Sequence, residues 1–226
     1  MTHHFDIELN ELKQKLLAMA SHAETAVNQA VEALVQRDYG LAIRIKENDK
    51  VLDQFEIEID DLAIHLLAKA PLASDLRLIT VAMKISQNLE RVGDEATKIA
   101  KRARDLSQEP PLKNSIDLPA MARLAVELLK LSLDSFVNHD PAAARALIPR
   151  DKEVDSMNKQ IHRELAHLMI ADPEAITRCL SLMIVSKSLE RIADHATNVA
   201  EEVVYLCEAQ DIRHSAAAAA RALSKE

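Results

Sequence analysis

One twelve-residue motif occurs twice in this chain, and that internal repeat constrains the fold more than any other feature. Residues 89–100 have the sequence LERVGDEATKIA, and residues 189–200 have the sequence LERIADHATNVA. A second landmark repeats in the same order, because Asp49 and Asp53 match Asp151 and Asp155. Ordered landmarks at a nearly constant offset predict a structural unit that is present in two copies.

The rest of the pattern indicates an all-α chain. Apolar residues recur at three- and four-residue spacing, as on one face of a helix, and only two glycines are available for turns. Asp38, Ser74, Asp140 and Asp172 are predicted to cap helix N-termini. We predict two tandem, pseudo-symmetric three-helix bundles, made of six long helices near residues 5–36, 38–69, 74–106, 119–138, 141–170 and 173–209.

The boundary between the two copies is predicted from proline. The segment from 107 to 119 holds three prolines and interrupts the apolar period. We therefore predict a first repeat at 1–106, a linker at 107–118 and a second repeat at 119–210. Residues 211–226 form a predicted C-terminal tail, which we expect to fray because it has little to pack against.

Composition excludes several classes of function. A net charge of −8, with few aromatic residues, is unfavourable for binding nucleic acid. Two cysteines cannot form a disulfide framework and are typical of a reducing cytosol. No signal peptide and no run of about 20 apolar residues is visible. We expect a cytoplasmic protein that meets a membrane only through a partner.

Four pairs of carboxylates occupy repeated positions. Each pair is four residues apart, so its two side chains share one helix face and repel each other. A hard cation with a preference for oxygen ligands would remove that repulsion. The pairs are Asp49/Asp53, Glu90/Asp94, Asp151/Asp155 and Glu190/Asp194. The alternative is a solvated acidic face, which is what we predict for a fifth pair without a counterpart, Glu56/Asp60.

Several residues beside these pairs have two interpretations. Arg91 and Arg191 are predicted to be ion-pair partners on a neighbouring face and not ligand contacts, since one helical position turns a side chain by about 100°. Gly93 either permits a close approach or marks an exposed site of no consequence. His195 is predicted to lie at a surface or an interface.

A basic cluster ends the third predicted helix, at Lys98, Lys101, Arg102 and Arg104. It matches the negative end of the helix dipole, and the alternative is a docking patch for a partner. Enzymatic motifs are not found. Glu164 and His167 have the spacing of a di-iron ligand pair, but a ferritin-like bundle needs two such motifs. Two glycines cannot build a phosphate-binding loop.

The doubled motif resembles that of the PhoU family, as do ASDLRLI at 73–79 and QDIRH at 210–214. The resemblance covers nearly the whole chain. It implies two three-helix bundles with multinuclear metal sites, holding Mg, Mn, Fe or Zn, on the eight paired carboxylates. Two features depart from the family pattern: Ala193 replaces a glycine, and Asp leads the pairs at 49 and 151.

The resemblance also implies a function. Members of the family act with a phosphate ABC transporter, through its ATPase subunit, and with a membrane sensor histidine kinase, and they dampen the phosphate-starvation response. A homodimeric, non-enzymatic regulator peripheral to the inner membrane is therefore expected. The alternatives are a helical metal-storage or redox bundle and a structural adaptor that binds no metal.

Overall fold

The computed structural model describes residues 2–48, 50–69, 72–112 and 116–213. Within those ranges the chain forms α-helices and short 3₁₀ turns, with no β-strand. The helices are α1 (Thr2–Gln36), α2 (Tyr39–Asn48), α3 (Lys50–Leu67), α4 (Ala73–Ser107), α5 (Leu118–Asn138), α6 (Pro141–Leu147), α7 (Asp151–Ala171) and α8 (Ile176–Glu208). This confirms the predicted all-α class.

Each half is a bundle of three helical rods, and the middle rod of the second half is divided. In the second half α6 and α7 are joined by the 3₁₀ turn Ile148–Arg150. Pro149 lies in that turn, where it has no backbone N–H to continue the α-helical bonding. In the first half the described residues of the middle rod are α2, up to Asn48, and α3, from Lys50, with residue 49 outside the described range. The six predicted long helices are therefore present, and the 3₁₀ turn divides the middle helix of the second half.

Aspartate starts most of the helices for which a cap was predicted. The Asp140 carboxylate accepts bonds from the Ala142 and Ala143 amides at 3.0 Å, and Asp38 accepts one from Leu41 at 2.9 Å. These bonds satisfy amides that have no partner within a helix. Asp172 caps the 3₁₀ turn before α8. The predicted cap at Ser74 is wrong, because α4 begins one residue earlier and its N-cap position has no side-chain bond.

The two halves pack against each other along α4 and α8, which run antiparallel. Glu95 of α4 accepts a bond from Arg191 of α8 at 3.1 Å, and Asn88 lies 3.0 Å from His195. The motif repeat relates His195 to Glu95 and Asn88 to Ser188, and Glu95 is also hydrogen-bonded to Ser188. The contact of Asn88 with His195 and that of Ser188 with Glu95 are therefore equivalent under an approximate twofold axis. A single cluster of buried residues includes side chains from both halves. The halves therefore share one hydrophobic core.

Gly93 is buried where α4 crosses α3. A Cβ atom built on it would lie 2.2 Å from Leu52 Cδ1, a distance that packed atoms do not tolerate. The exposed-site interpretation of Gly93 is therefore wrong, and the close-approach interpretation is confirmed. In the second half the equivalent positions hold Ala193 and Val154, both fully buried. In the second half the middle helix therefore has the smaller Val154 where the first half has Leu52, and the third helix has the larger Ala193 where the first half has Gly93.

We expect Gly93→Ala to destabilise the fold. The added methyl group overpacks the contact with Leu52 and costs about 1–3 kcal/mol, against which better helix propensity returns about 1 kcal/mol. Leu52→Val should rescue the variant, since the pair then matches the second half. Urea melts of both single variants and the double variant measure the coupling. If the effects of the two substitutions on the free energy of unfolding simply add, the contact between residues 52 and 93 does not cause the destabilisation.

The start of the tail is held against the bundle. Arg213 donates a bond to buried Glu202 at 3.2 Å, and Ile212 packs against the core. Arg213 also lowers the pKa of Asp211 through hydrogen bonds. The expected fraying is therefore wrong for residues 211–213, and the remainder of the predicted tail lies outside the described residues.

Candidate metal centres

Three of the predicted ligands converge in the second half. Asp151 and Asp155 lie in the first two turns of α7, and Asp194 faces them from α8. One carboxylate oxygen from each lies within 4.8 Å of the others. Among the described residues, no other group of three metal-ligating side chains is this close. The fold thus brings two of the repeated motifs together at one point between α7 and α8.

The triad is electrostatically strained as it stands. Burial, and then the charges of Asp194, Asp155 and Glu190, raise the pKa of Asp151 to about 6. Burial first and Glu190 next raise the pKa of Asp194. Asp151 Oδ1 is buried without a hydrogen-bond partner. Oxygen ligands with excess negative charge suit a hard divalent cation, so the residues fit the metal that the sequence predicts.

The fourth predicted ligand of this half stands beside the triad. Glu190 forms an ion pair with Lys187 one turn earlier on α8. The Lys187 ammonium neutralises part of the acidic field, as a bound cation would. The first half has Gln87 at the equivalent position, so the charge of Glu90 has no such partner on its own helix. The two acidic faces therefore differ in how much charge is left uncompensated.

The first-half carboxylates are coupled but less convergent. Burial, Asp94, Glu56 and Asp53 raise the pKa of Glu90, in that order. Asp49, the remaining predicted ligand, lies outside the described residues. Asp53, Glu90 and Asp94 therefore share one acidic field, but no three ligand atoms of the described part of this half meet as in the second.

Glu56 is the residue that the sequence reasoning missed. It is half-buried, and burial, Asp60 and Asp53 raise its pKa. The solvated-face prediction for the Glu56/Asp60 pair stays a prediction, and Glu56 also contributes to the field at Glu90. The missed signal is spacing: Asp53, Glu56 and Asp60 are three and four residues apart, as in a stripe on one face of a helix.

The second half replaces part of that stripe with uncharged groups. Asn158 and His162 occupy the positions equivalent to Glu56 and Asp60. The Asn158 carbonyl oxygen accepts a bond from Ser186 at 2.5 Å, which ties it to the core. The acidic stripe of the first half is therefore longer than that of the second.

Two other predicted residues lie where the halves pack together. Arg191 forms an ion pair with Glu95 across α4 and α8, which confirms the ion-pair interpretation for that residue. His195 lies at the same interface, as predicted, and burial lowers its pKa. Lys98, from the basic cluster, pairs with the same Glu95 from within α4, at 2.9 Å.

The described helices include none that is long and apolar enough to cross a membrane.

Comparison with known proteins places the chain in a family. The family model described as the PhoU domain matches residues 16–103 and again residues 118–203. A phosphate-specific transport system accessory protein PhoU homolog of Pseudomonas putida is 40% identical over 95% of this chain and 86% of its own length. Its counterpart in Aquifex aeolicus is 38% identical over 92% of this chain and 94% of its own.

Two solved structures have the same fold. The crystal structure of PhoU from Pseudomonas aeruginosa matches with a TM-score of 0.88 and 39% identity, over 91% of this chain and 100% of that one. The phosphate transport system regulatory protein PhoU from Streptococcus pneumoniae matches with a TM-score of 0.86 and 30% identity, over 92% and 99% of the two chains. With the domain matched twice and relatives aligned along most of its length, the chain belongs to the PhoU family.

Proposed function

We propose that this protein regulates phosphate uptake and phosphate-starvation signalling by binding other proteins. The observation that carries the proposal is the alignment of most of the chain with proteins named as accessory proteins of the phosphate-specific transport system. Those names describe accessory proteins and not enzymes, which supports a role in binding other proteins and not in catalysis.

The proposed partners are the ATPase subunit of a phosphate ABC transporter and a membrane sensor histidine kinase. The protein would act as a homodimer in the cytoplasm and reach the inner membrane through these partners. Its long, rigid helical rods offer extended faces for such contacts, and its net charge of −8 disfavours direct adsorption to an anionic bilayer.

The proposed cofactor is a divalent or iron-type cation (Mg, Mn, Fe or Zn) on each acidic face. The convergence of Asp151, Asp155 and Asp194 supports this for the second half. For the first half, support comes from the raised pKa values of Glu56 and Glu90. A cation would offset repulsion between the middle and third rods of each bundle and so fix their relative positions.

An affinity pull-down from membranes tests the regulatory role. We expect the tagged protein to recover the transporter ATPase subunit and the kinase, with recoveries that change between phosphate-replete and phosphate-starved cells. The isolated protein should stay in solution with lipid vesicles. Failure to recover either partner, together with catalytic turnover of iron by the purified protein, would favour the metal-storage alternative.

A further inference from the structure

The line along which α4 and α8 meet, here called the α4–α8 groove, has a regular antiparallel register. Lys84 contacts Glu202, and Glu95 contacts Arg191; the two contacts are separated by equal steps on both helices. Two further helical turns in the same direction place Arg102 beside Ile184. In the repeat, Arg102 matches Glu202 and Ile184 matches Lys84. Arg102 beside Ile184 is therefore the equivalent of the contact between Lys84 and Glu202.

The two ends of the groove carry opposite charge despite this equivalence. The basic edge at one end consists of Lys98, Lys101 and Arg102, and the same positions of the other repeat hold Asn198, Glu201 and Glu202. Sequence divergence after duplication has therefore made one end basic and the other acidic.

The acidic end is already covered by a segment of this chain. After α8 ends, Ile212 packs against the core, and Arg213 donates a bond to Glu202 at 3.2 Å. The groove thus accommodates a non-helical segment that presents one apolar side chain and a charge opposite to that of the groove.

The basic end exposes an apolar stripe on α8. Ile176, Leu180 and Ile184 follow one another at four-residue spacing, and they are 41%, 50% and 40% exposed. Large aliphatic side chains in a continuous row on a soluble helix mark a contact surface. Ile184 lies next to Arg102 in the register above, so the stripe and the basic edge adjoin.

The positive charge at this end exceeds what nearby carboxylates neutralise. Glu95 is shared by Lys98 and Arg191. Asp105 is likewise shared by two arginines, one of them Arg102. Within the described part of the chain no ion pair involves Lys101, which is exposed. The basic edge therefore keeps a net positive charge in a protein whose overall charge is −8.

We infer that the basic end of the α4–α8 groove binds an acidic amphipathic segment of a partner protein. Apolar side chains of that segment would cover Leu180 and its neighbours, and its carboxylates would pair with the basic edge. This rests on the proposed role as a protein-binding regulator and adds the surface and the chemistry of the ligand. A bilayer is disfavoured, since its wide anionic surface would also meet the acidic faces.

A synthetic peptide tests the inference on the isolated protein. The probe is a fluorescent helix of roughly 18 residues, long enough to fold on binding, with Leu at three- and four-residue spacing and Glu at most other positions. A matched peptide has Lys in place of Glu. We expect the Glu peptide to bind at least about tenfold more tightly than the Lys peptide, with an affinity that falls as salt rises.

Variants locate the site. Leu180→Asp and Arg102→Glu should each weaken binding of the Glu peptide about tenfold or more. Leu131→Asp, an exposed leucine on α5, is the matched control and should leave binding unchanged. Circular dichroism establishes that each variant is folded, and Arg102→Glu keeps the test valid if the Leu180 variant is not.

Three outcomes would overturn the inference. They are equal binding of the two peptides, equal loss with Leu180→Asp and Leu131→Asp, and recruitment of the protein to phosphatidylglycerol vesicles that depends on Leu180 and Arg102. The pull-down separates this surface from the proposed function. If Leu180→Asp still recovers the transporter and kinase at wild-type levels, the regulatory role stands and the groove is not its docking site.

Discussion

Mn²⁺ is expected to raise the free energy of unfolding by about 2.7 kcal/mol for each site at a hundredfold excess over Kd, and Asp151→Asn should remove most of the second-half increment. The reason is that a cation between Asp151, Asp155 and Asp194 binds the folded chain, in which one oxygen of each lies within 4.8 Å of the others, and not the unfolded one. Calorimetric melts with chelator and with added Mn²⁺ measure the difference.

Matched variants distinguish the contributions of the two acidic faces to the metal-dependent increase in stability. Glu90→Gln with Asp94→Asn should reduce the increment that belongs to the first half and leave the second intact. Asp134→Asn alters an exposed aspartate of α5 and should change neither. A melting temperature that does not respond to metal in the wild type and in all variants would end the metal-site proposal.

The metal-free protein should also show a pH dependence of definite sign. The pKa of Asp151 is raised from 3.8 to about 6, so the folded state binds more protons than the unfolded state between those values. Stability from this group is therefore present at low pH and is lost as pH rises to about 6. The loss is about 1–2 kcal/mol, because a shift of two pH units gives an upper limit near 3 kcal/mol and Asp151 is partly solvated. Asp151→Asn should flatten that slope.

Bound cation should reverse the slope. A metal needs deprotonated carboxylates, so its affinity rises with pH over the same range in which the metal-free protein loses stability. Stability curves with chelator and with Mn²⁺ should therefore diverge as pH increases from about 4 to about 7. Curves that stay parallel would show that Asp151 does not bind the metal.

Much of the fold was predictable because its signals are local. Asp140 followed by Pro141 is a frequent helix start that can be recognised from two residues, and the structure has the helix there. The repeat of residues 89–100 at 189–200 is also visible in the sequence itself, and it predicts two bundles. Pairing of the halves through Glu95 and Arg191 was not predictable to this detail, because it depends on which faces of two long helices meet.

In the candidate site, too, the local spacing was predictable and the packing between helices was not. The spacing of Asp151 and Asp155 placed both on one helix face, but only the packing of α7 on α8 brings Asp194 to them. Glu56 has no carboxylate counterpart in the other half, so the repeat does not single it out, although chain neighbours at helical spacing place it in the first acidic field. Symmetry between repeats was too strict a criterion for residues that diverged after duplication.

The last prediction concerns the ion pair between the halves, in which Arg191 contacts Glu95. The Glu95 side chain is only 5% exposed, and it accepts bonds from Lys98 and Arg191. Burial alone would raise the pKa of Glu95, yet these bonds and one from Ser188 lower it overall. Its contribution to stability is thus present above the ordinary glutamate pKa and is lost as pH falls through the lowered value.

Removing both cations should therefore leave a buried, unpaired carboxylate. Lys98→Met with Arg191→Met is expected to cost about 2–3 kcal/mol, less than the about 3–5 kcal/mol of a wholly buried pair, because both cations are half-exposed. Adding Glu95→Leu to that variant should recover most of the loss, since no buried charge remains. Urea melts of the double and triple variants test this directly. A triple variant less stable than the double would show that Glu95 stabilises the interface between the halves by packing and not through its charge.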